Sequence, residues 1–273
     1  MTQPFKIACV QNRAVDNTET SVGECLELIQ SASDQGAELI CTPEFCGHLH
    51  VDGKTFQTGA RPEHQHEGLR LFQQGAAQMQ RWLLVGSLAV VDEAGQLRNR
   101  SFVIDPNGKI VSRYDKIHMF DVNLKDGEVY RESDTFTPGS KLVIAQTPYA
   151  RLGLSVCYDL RFAALYRLLA QNGATVLTVP AAFTHTTGKA HWHVLLRSRA
   201  IETGSFVVAP CQYGYHGNAR TYGHSLIIGP WGQILAEGGD DQDMIIATID
   251  PAEAETARAW IPALEHDRPL SFG

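Results

Sequence analysis

Short apolar runs and helix-spaced apolar positions succeed one another from the first residues of the chain. Residues 5–11 and 37–42 read as strands, and between them Val22, Cys25, Leu26 and Ile29 recur at the 3.6-residue spacing of a helix. Asn17 stands where a helix cap belongs and Gly36 where a helix stops, so the chain opens β-α-β. The pattern predicts a second helix over residues 67–81, then three strands over 82–91, 98–105 and 109–116. The Asp92-Glu93-Ala94-Gly95 and Asp105-Pro106-Asn107-Gly108 segments carry hairpin turn chemistry, which makes these three strands antiparallel. No strand is predicted over 119–141, and a loop of that length inside a compact fold tends to carry function.

The alternation then resumes. Strands are predicted at 142–146, 150–157, 174–179, 206–210, 223–229, 233–236 and 244–250, with one helix placing Leu165, Leu168 and Leu169 inward and a long one over 188–203. Parallel and antiparallel units in alternation call for two mixed sheets packed face to face with helices outside. The expectation is an α/β chain of four layers, αββα, forming a single domain over 1–273 with no low-complexity linker.

Composition narrows the functions on offer. The 23 Lys and Arg against 30 Asp and Glu give a net charge of −7, with the basic residues scattered, which argues against a nucleic-acid or anionic-membrane surface. No apolar run reaches the ~20 residues of a membrane span, and the first residues lack the apolar core of a signal peptide. A cytoplasmic protein handling small molecules is expected. The six cysteines, at 9, 25, 41, 46, 157 and 211, form no CxxC pair, and buried free thiols explain most of them.

Three positions stand out chemically. Cys157 ends an apolar strand with a helix predicted at once, a place where a thiol sits near the positive end of a helix and the thiolate is favoured; taken alone, packing in the core is the better explanation of such a cysteine. Glu44 follows the strand of residues 37–42, at the carboxyl end where α/β sheets bind ligands and where a general base would sit; a turn-capping loop Glu is the alternative. Lys116 closes the third antiparallel strand and opens the long loop, as a solvated lysine also would.

Taken in order, Pro43-Glu44-Phe45, the Asp115-Lys116-Ile117-His118-Met119-Phe120-Asp121 segment and Cys157-Tyr158-Asp159-Leu160-Arg161-Phe162 resemble the nitrilase superfamily of carbon–nitrogen hydrolases. The likeness extends through Arg131-Glu132-Ser133, Thr137-Pro138-Gly139, residues 196–202, Tyr222-Gly223-His224-Ser225, Gly229-Pro230-Trp231-Gly232 and the Arg258, Ile261-Pro262, His266 tail. The resemblance implies the αββα sandwich and an amidase without metal or organic cofactor. It implies Cys157 as nucleophile, Glu44 as general base, Lys116 as the cation for the oxyanion, and Glu132 as the second glutamate orienting Lys116 and substrate; Glu128, nearby, does not match the motif. The amide would be cleaved to acid and ammonia through a thioester on Cys157, with a backbone N–H near Tyr158 sharing the oxyanion.

Within the superfamily, Cys157-Tyr158-Asp159-Leu160-Arg161-Phe162 resembles the branch of deaminated glutathione amidases and omega-amidases. That implies a small amide carrying a carboxylate, preferably deaminated glutathione, with 2-oxoglutaramate or 2-oxosuccinamate next. Arg161 would bind the carboxylate, with Tyr158, Phe183 and Thr187 lining the pocket; pairing of Arg161 with Asp159 or a backbone carbonyl is the alternative. The chain departs from the family in reading Ala163-Ala164 where Pro-Glu often stands.

Two other classes compete. Cys41, Cys46, His48 and His50, with His64 and His66 downstream, supply zinc-type donors in a spacing that fits no common zinc motif. A silent binding or assembly protein on the same fold is the other. The apolar tail from about 251, with Trp260, Ile261, Pro262 and Leu264, is expected at a homodimer or higher homo-oligomer interface.

Overall fold

The computed structural model describes residues 3–53, 55–124, 127, 129–269 and 271–272. Its first sheet runs in the order Asp243–Ile249, Phe5–Gln11, Leu39–Cys41, Trp82–Val91, Leu97–Ile104, Ile110–Asp115, with Arg61–Pro62 also pairing to Trp82–Val91. Phe5–Gln11, Leu39–Cys41 and Trp82–Val91 are parallel and the flanking pairs antiparallel. The second sheet runs Ile144–Gln146, Arg151–Leu154, Val176–Thr178, Phe206–Ala209, Leu226–Ile228, Ile234–Glu237, parallel at its centre and antiparallel at both ends.

Side-chain alternation divides the cores as the two-residue strand period requires. Ile7, Cys9, Leu39, Cys41 and Leu84 face the second sheet, where they meet Leu152, Leu154, Val207 and Leu226. Their neighbours Ala8, Val10, Ile40, Leu83 and Val85 face outward onto helices α1 (Thr18–Asp34) and α2 (Glu67–Met79) through Val22, Cys25, Ile29, Leu69 and Phe72. Helices α3 (Ala163–Gln171) and α4 (His185–Thr203) cover the second sheet with Leu165, Leu169, Trp192 and Leu196, whereas Leu168, expected inward, is exposed. The four layers are those expected from the pattern, and the fold is an α/β sandwich of two mixed sheets. Helix α5 (Ala252–Trp260) leads into the tail.

Three readings are corrected. The stretch 119–141 is not strandless: Asp121–Asn123 and Val129–Arg131 pair as a hairpin and a short 3₁₀ turn, Glu132–Asp134, follows. These strands pair only with each other and carry little alternation, so nothing in the hydropathy marked them. The chain leaves Cys157 in a five-residue 3₁₀ helix, Cys157–Arg161, rather than directly in an α-helix. A further hairpin, Tyr213–His216 with Ala219–Tyr222, was not anticipated, although its Gly217-Asn218 turn is a recognised hairpin dipeptide. Glu128 lies outside the described residues. Among the described residues, no helix is long and apolar enough to cross a membrane.

Candidate active site

Three chain segments meet in one cleft. Glu44 follows the strand Leu39–Cys41, Lys116 follows Ile110–Asp115, and Cys157 opens the 3₁₀ helix after Arg151–Leu154. Together with Glu132, Tyr158, Phe183 and Thr187 they line a cleft enclosing about 590 Å³, its open mouth included. Close packing at this end depends on Gly86, where a Cβ would meet Thr42 O at 2.0 Å and Pro43 O at 2.4 Å, in the backbone leading to Glu44, and Pro180 Cβ, from the second sheet, at 2.6 Å.

The charged groups form a tight buried set. Lys116 Nζ lies 2.8 Å from Glu44 Oε1 and 2.8 Å from Glu132 Oε2, with all three side chains no more than 3% exposed. Asn99 Nδ2 donates to Glu44 Oε1 at 2.9 Å and to Glu132 Oε1 at 3.0 Å, bridging the two carboxylates. The second oxygens are held by backbone: Ala182 N–H donates to Glu44 Oε2 and Phe120 N–H to Glu132 Oε2. Gln212 Nε2 pins the Glu44 and Phe45 carbonyls. Charge burial on this scale is tolerated only when each charge is paired and each lone pair satisfied.

Electrostatics assign the resting protonation states. Burial alone would pull Lys116 down, but Glu132 and Glu44 hold its ammonium well above the ordinary lysine value. Burial pushes the Cys157 thiol well up, the charge and hydrogen bond of Glu44 add to this, and Lys116 only partly offsets it. The resting group is therefore a thiol, which corrects the expectation that a helix terminus would favour the thiolate. The carboxylate whose charge bears on that thiol is Glu44, which lines the same cleft. Burial also raises Glu132, Lys116 works against this, and the charge of Glu44 adds to the rise.

Cys157 itself is held in the left-handed region at φ 47° with its N–H bonded to Pro180 O. A β-substituted residue there costs of order 1 kcal/mol or more, a strain of the kind found at functional turns. The turn is fixed by a fully buried Asp159. Its carboxylate accepts from Val156 N–H and Tyr114 Oη, and from the N–H and Nδ1 of His118, two residues beyond Lys116. Arg199 secures the far end through Leu160 O.

Arg161 is placed differently from the pocket residues. Its guanidinium lies over the rings of Phe183 at 5.4 Å and Tyr158 at 5.8 Å and contacts His191 Nδ1 at 3.3 Å, and it is not among the residues lining the cleft. Asp159, the alternative partner, is occupied elsewhere. Sequence reading missed Asn99, Gln212 and the Ala182 N–H altogether. Asn99 sits in the charged-looking run Leu97-Arg98-Asn99-Arg100, whose alternate residues turn inward without any apolar mark.

The zinc-type donors do not converge. Cys41 lies between the sheets, Cys46 in the outer core with α1, and His48 bonds Thr18.

A buried carboxylate, ammonium and thiol at the open end of an αββα sandwich can attack an acyl carbon, hold its oxyanion and return a proton to the departing nitrogen. That defines a cysteine-dependent hydrolase of carbon–nitrogen bonds. The pattern of the carbon-nitrogen hydrolase family matches residues 6–259, and the chain belongs to that family, an amidase of the nitrilase superfamily. It is 41% identical over 269 residues to a deaminated glutathione amidase of Synechocystis, covering 97% of this chain and 98% of the relative. It is 33% identical to omega-amidase NIT2 of Homo sapiens, covering 97% and 95%. The solved structure of Saccharomyces cerevisiae Nit3, a member of branch 10 of the nitrilase superfamily, superposes with a TM-score of 0.85 at 26% identity, covering 97% of this chain and 96% of that one.

Proposed function

We propose that the chain hydrolyses small carboxylate-bearing amides through a thioester on Cys157, with deaminated glutathione as the preferred substrate and the omega-amidase substrates 2-oxoglutaramate and 2-oxosuccinamate as the second reading. The observation that carries it is the Glu44–Lys116–Glu132 set at 2.8 Å contacts facing the strained Cys157 turn. Glu44 takes the thiol proton as sulfur attacks the carbonyl carbon. Lys116 and the Tyr158 N–H, in the first turn of the short helix where backbone donors lack internal acceptors, meet the oxyanion. Collapse breaks the C–N bond as Glu44 protonates the nitrogen. Water, giving its proton to Glu44, then cleaves the thioester to acid and free thiol. A primary amide leaves as ammonia; deaminated glutathione leaves its nitrogen within cysteinylglycine. Glu132 holds Lys116 in place, and Phe183, Thr187 and Tyr158 bound the acyl half, with Arg161 as its carboxylate contact.

The similarity to the Synechocystis protein favours deaminated glutathione. Steady-state kcat/KM with the three compounds tests the order: deaminated glutathione first supports it, a plain aliphatic nitrile or an N-carbamoyl compound first overturns it. A single domain, a cytoplasmic setting and a homodimer are part of the same reading. Six unbridged thiols fit a reducing compartment. Trp260 and Trp231, 69% and 56% exposed with rings 5.6 Å apart, and Ile261 and Ile201 beside them form an apolar face of the kind a second copy would cover. Sedimentation at micromolar concentration should show a dimer, and a monomer would contradict this.

A further inference from the structure

The charge of the cleft does not match the substrate it is proposed to take. Among the lining residues, Glu44 and Glu132 are acidic and Lys116 lies between them, so this set carries one net negative charge beneath a protonated thiol. His216, pushed down to about 4 by burial, adds no positive charge at neutral pH. An anionic amide entering this space needs a cation whose charge is not already neutralised. Arg220 supplies one: it lines the cleft, is exposed, and among the described residues it has no carboxylate partner, only the ring of Tyr215 5.4 Å beneath its guanidinium.

Its position relative to Arg161 is informative. Arg220 lies in the strand Ala219–Tyr222, which meets the start of α4 through the Thr184–Thr221 bridge, and its charge bears on His185. Arg161 contacts His191, six residues further along the same helix. At ~1.5 Å per residue His185 and His191 are about 9 Å apart along the helix axis. Thr187, which lines the cleft, falls between them. An extended three-residue skeleton spans roughly 10–11 Å, a length comparable to that stretch of helix, so a tripeptide-length amide reaches much further along this wall than a compact one. A compact primary amide such as 2-oxoglutaramate has only one carboxylate to offer.

We propose that Arg220 is a specificity residue that binds the carboxylate on the leaving-group half of the substrate, selecting amides that carry an anion on both sides of the scissile bond. The inference rests on the amidase reading above and deepens it. Arg220 would neither activate nor polarise the reacting atoms; it would stabilise the bound long amide, and stacking on Tyr215 would hold the guanidinium ready at the rim.

The test compares three substrates sharing one acyl half: deaminated glutathione, its C-terminal carboxamide, and 2-oxoglutaramate. In the wild type, capping the terminal carboxylate should lower kcat/KM about 10-fold, mainly through KM. In Arg220→Ala the ratio of kcat/KM for deaminated glutathione over 2-oxoglutaramate should fall about 10-fold, and capping should cost nothing further. Arg220→Lys should restore part of the ratio. The inference is overturned if the ratio stays within twofold, or if Arg220→Ala still discriminates the acid from its carboxamide. Turnover of 2-oxoglutaramate alone overturns it while leaving the amidase reading intact. Wild-type protein inert toward all three compounds overturns both.

Discussion

At the residue scale, the chemistry is set by which charge is left unpaired once four buried groups are assembled. Lys116 is shared by two carboxylates, so one ammonium is set against two acidic side chains at the cleft that Cys157 also lines. A like charge nearby disfavours ionisation of its neighbour. Removing the Glu44 charge with Glu44→Gln should therefore bring the Cys157 thiol down while turnover collapses by ~10²-fold or more. Thiolate absorbance at 240 nm, corrected with Cys157→Ala, reads the first effect and steady-state rates the second. An unchanged titration in Glu44→Gln would mean that Glu44 does not face the thiol. Asn99, invisible to motif reading, is part of this balance, since it donates to both carboxylates. Asn99→Ala should cost about 1–3 kcal/mol of stability, as buried acceptors lose their donor, read as a lowered urea midpoint.

At the element scale, the strands of the two sheets were legible because they are buried and apolar, and because their period separates inward from outward residues. The catalytic turns were legible only through motif order. Glu44, Lys116 and Cys157 each follow a strand, but hydropathy does not tell a catalytic strand end from an ordinary one. What failed to show was everything held by polar side chains and short pairings. The Asp121–Asn123 and Val129–Arg131 hairpin and the 3₁₀ turn carrying Glu132 depend on hydrogen bonds such as Ser133 to Asp121 and Arg131 to the Val122 carbonyl. The wall bearing Arg220 rests on a hairpin of two four-residue strands for similar reasons. Gly86 is the element-level feature with the sharpest consequence. It lies where the pairing of Trp82–Val91 to Leu97–Ile104 shifts register, directly against the backbone that presents Glu44. Gly86→Ala should displace Pro43 and Glu44, lower stability by ~1–3 kcal/mol through overpacking, and cut kcat. A variant as active as wild type would show that the strand can move without moving Glu44.

At the scale of the whole molecule, the net charge of −7 fixes neither substrate nor partner, because in the proposed reading attraction of an anion is a local matter of Arg161 and Arg220. Acid stability is a property of buried neutral groups. His216 donates from Nδ1 to Ala14 O, lies 2.9 Å from Thr221 Oγ1 and is held down near 4 by burial, against 6.5 when unfolded. Between those values the unfolded chain binds the extra proton, so stability falls as pH drops from about 6.5 to about 4, by ~3 kcal/mol for this residue. His66, also about 4, acts in the same window. Urea midpoints should fall through this window in the wild type and less steeply in His216→Gln; equal slopes would contradict the assignment. The account as a whole rests on a covalent acyl group at one of six cysteines. Intact-mass and peptide-mass measurement on protein acid-quenched during turnover of 2-oxoglutaramate tests it most directly. The prediction is a mass increase equal to the acyl half, confined to the peptide containing Cys157 and absent, with all turnover, in Cys157→Ala. Turnover retained by Cys157→Ala, or an adduct on any other residue, would contradict it.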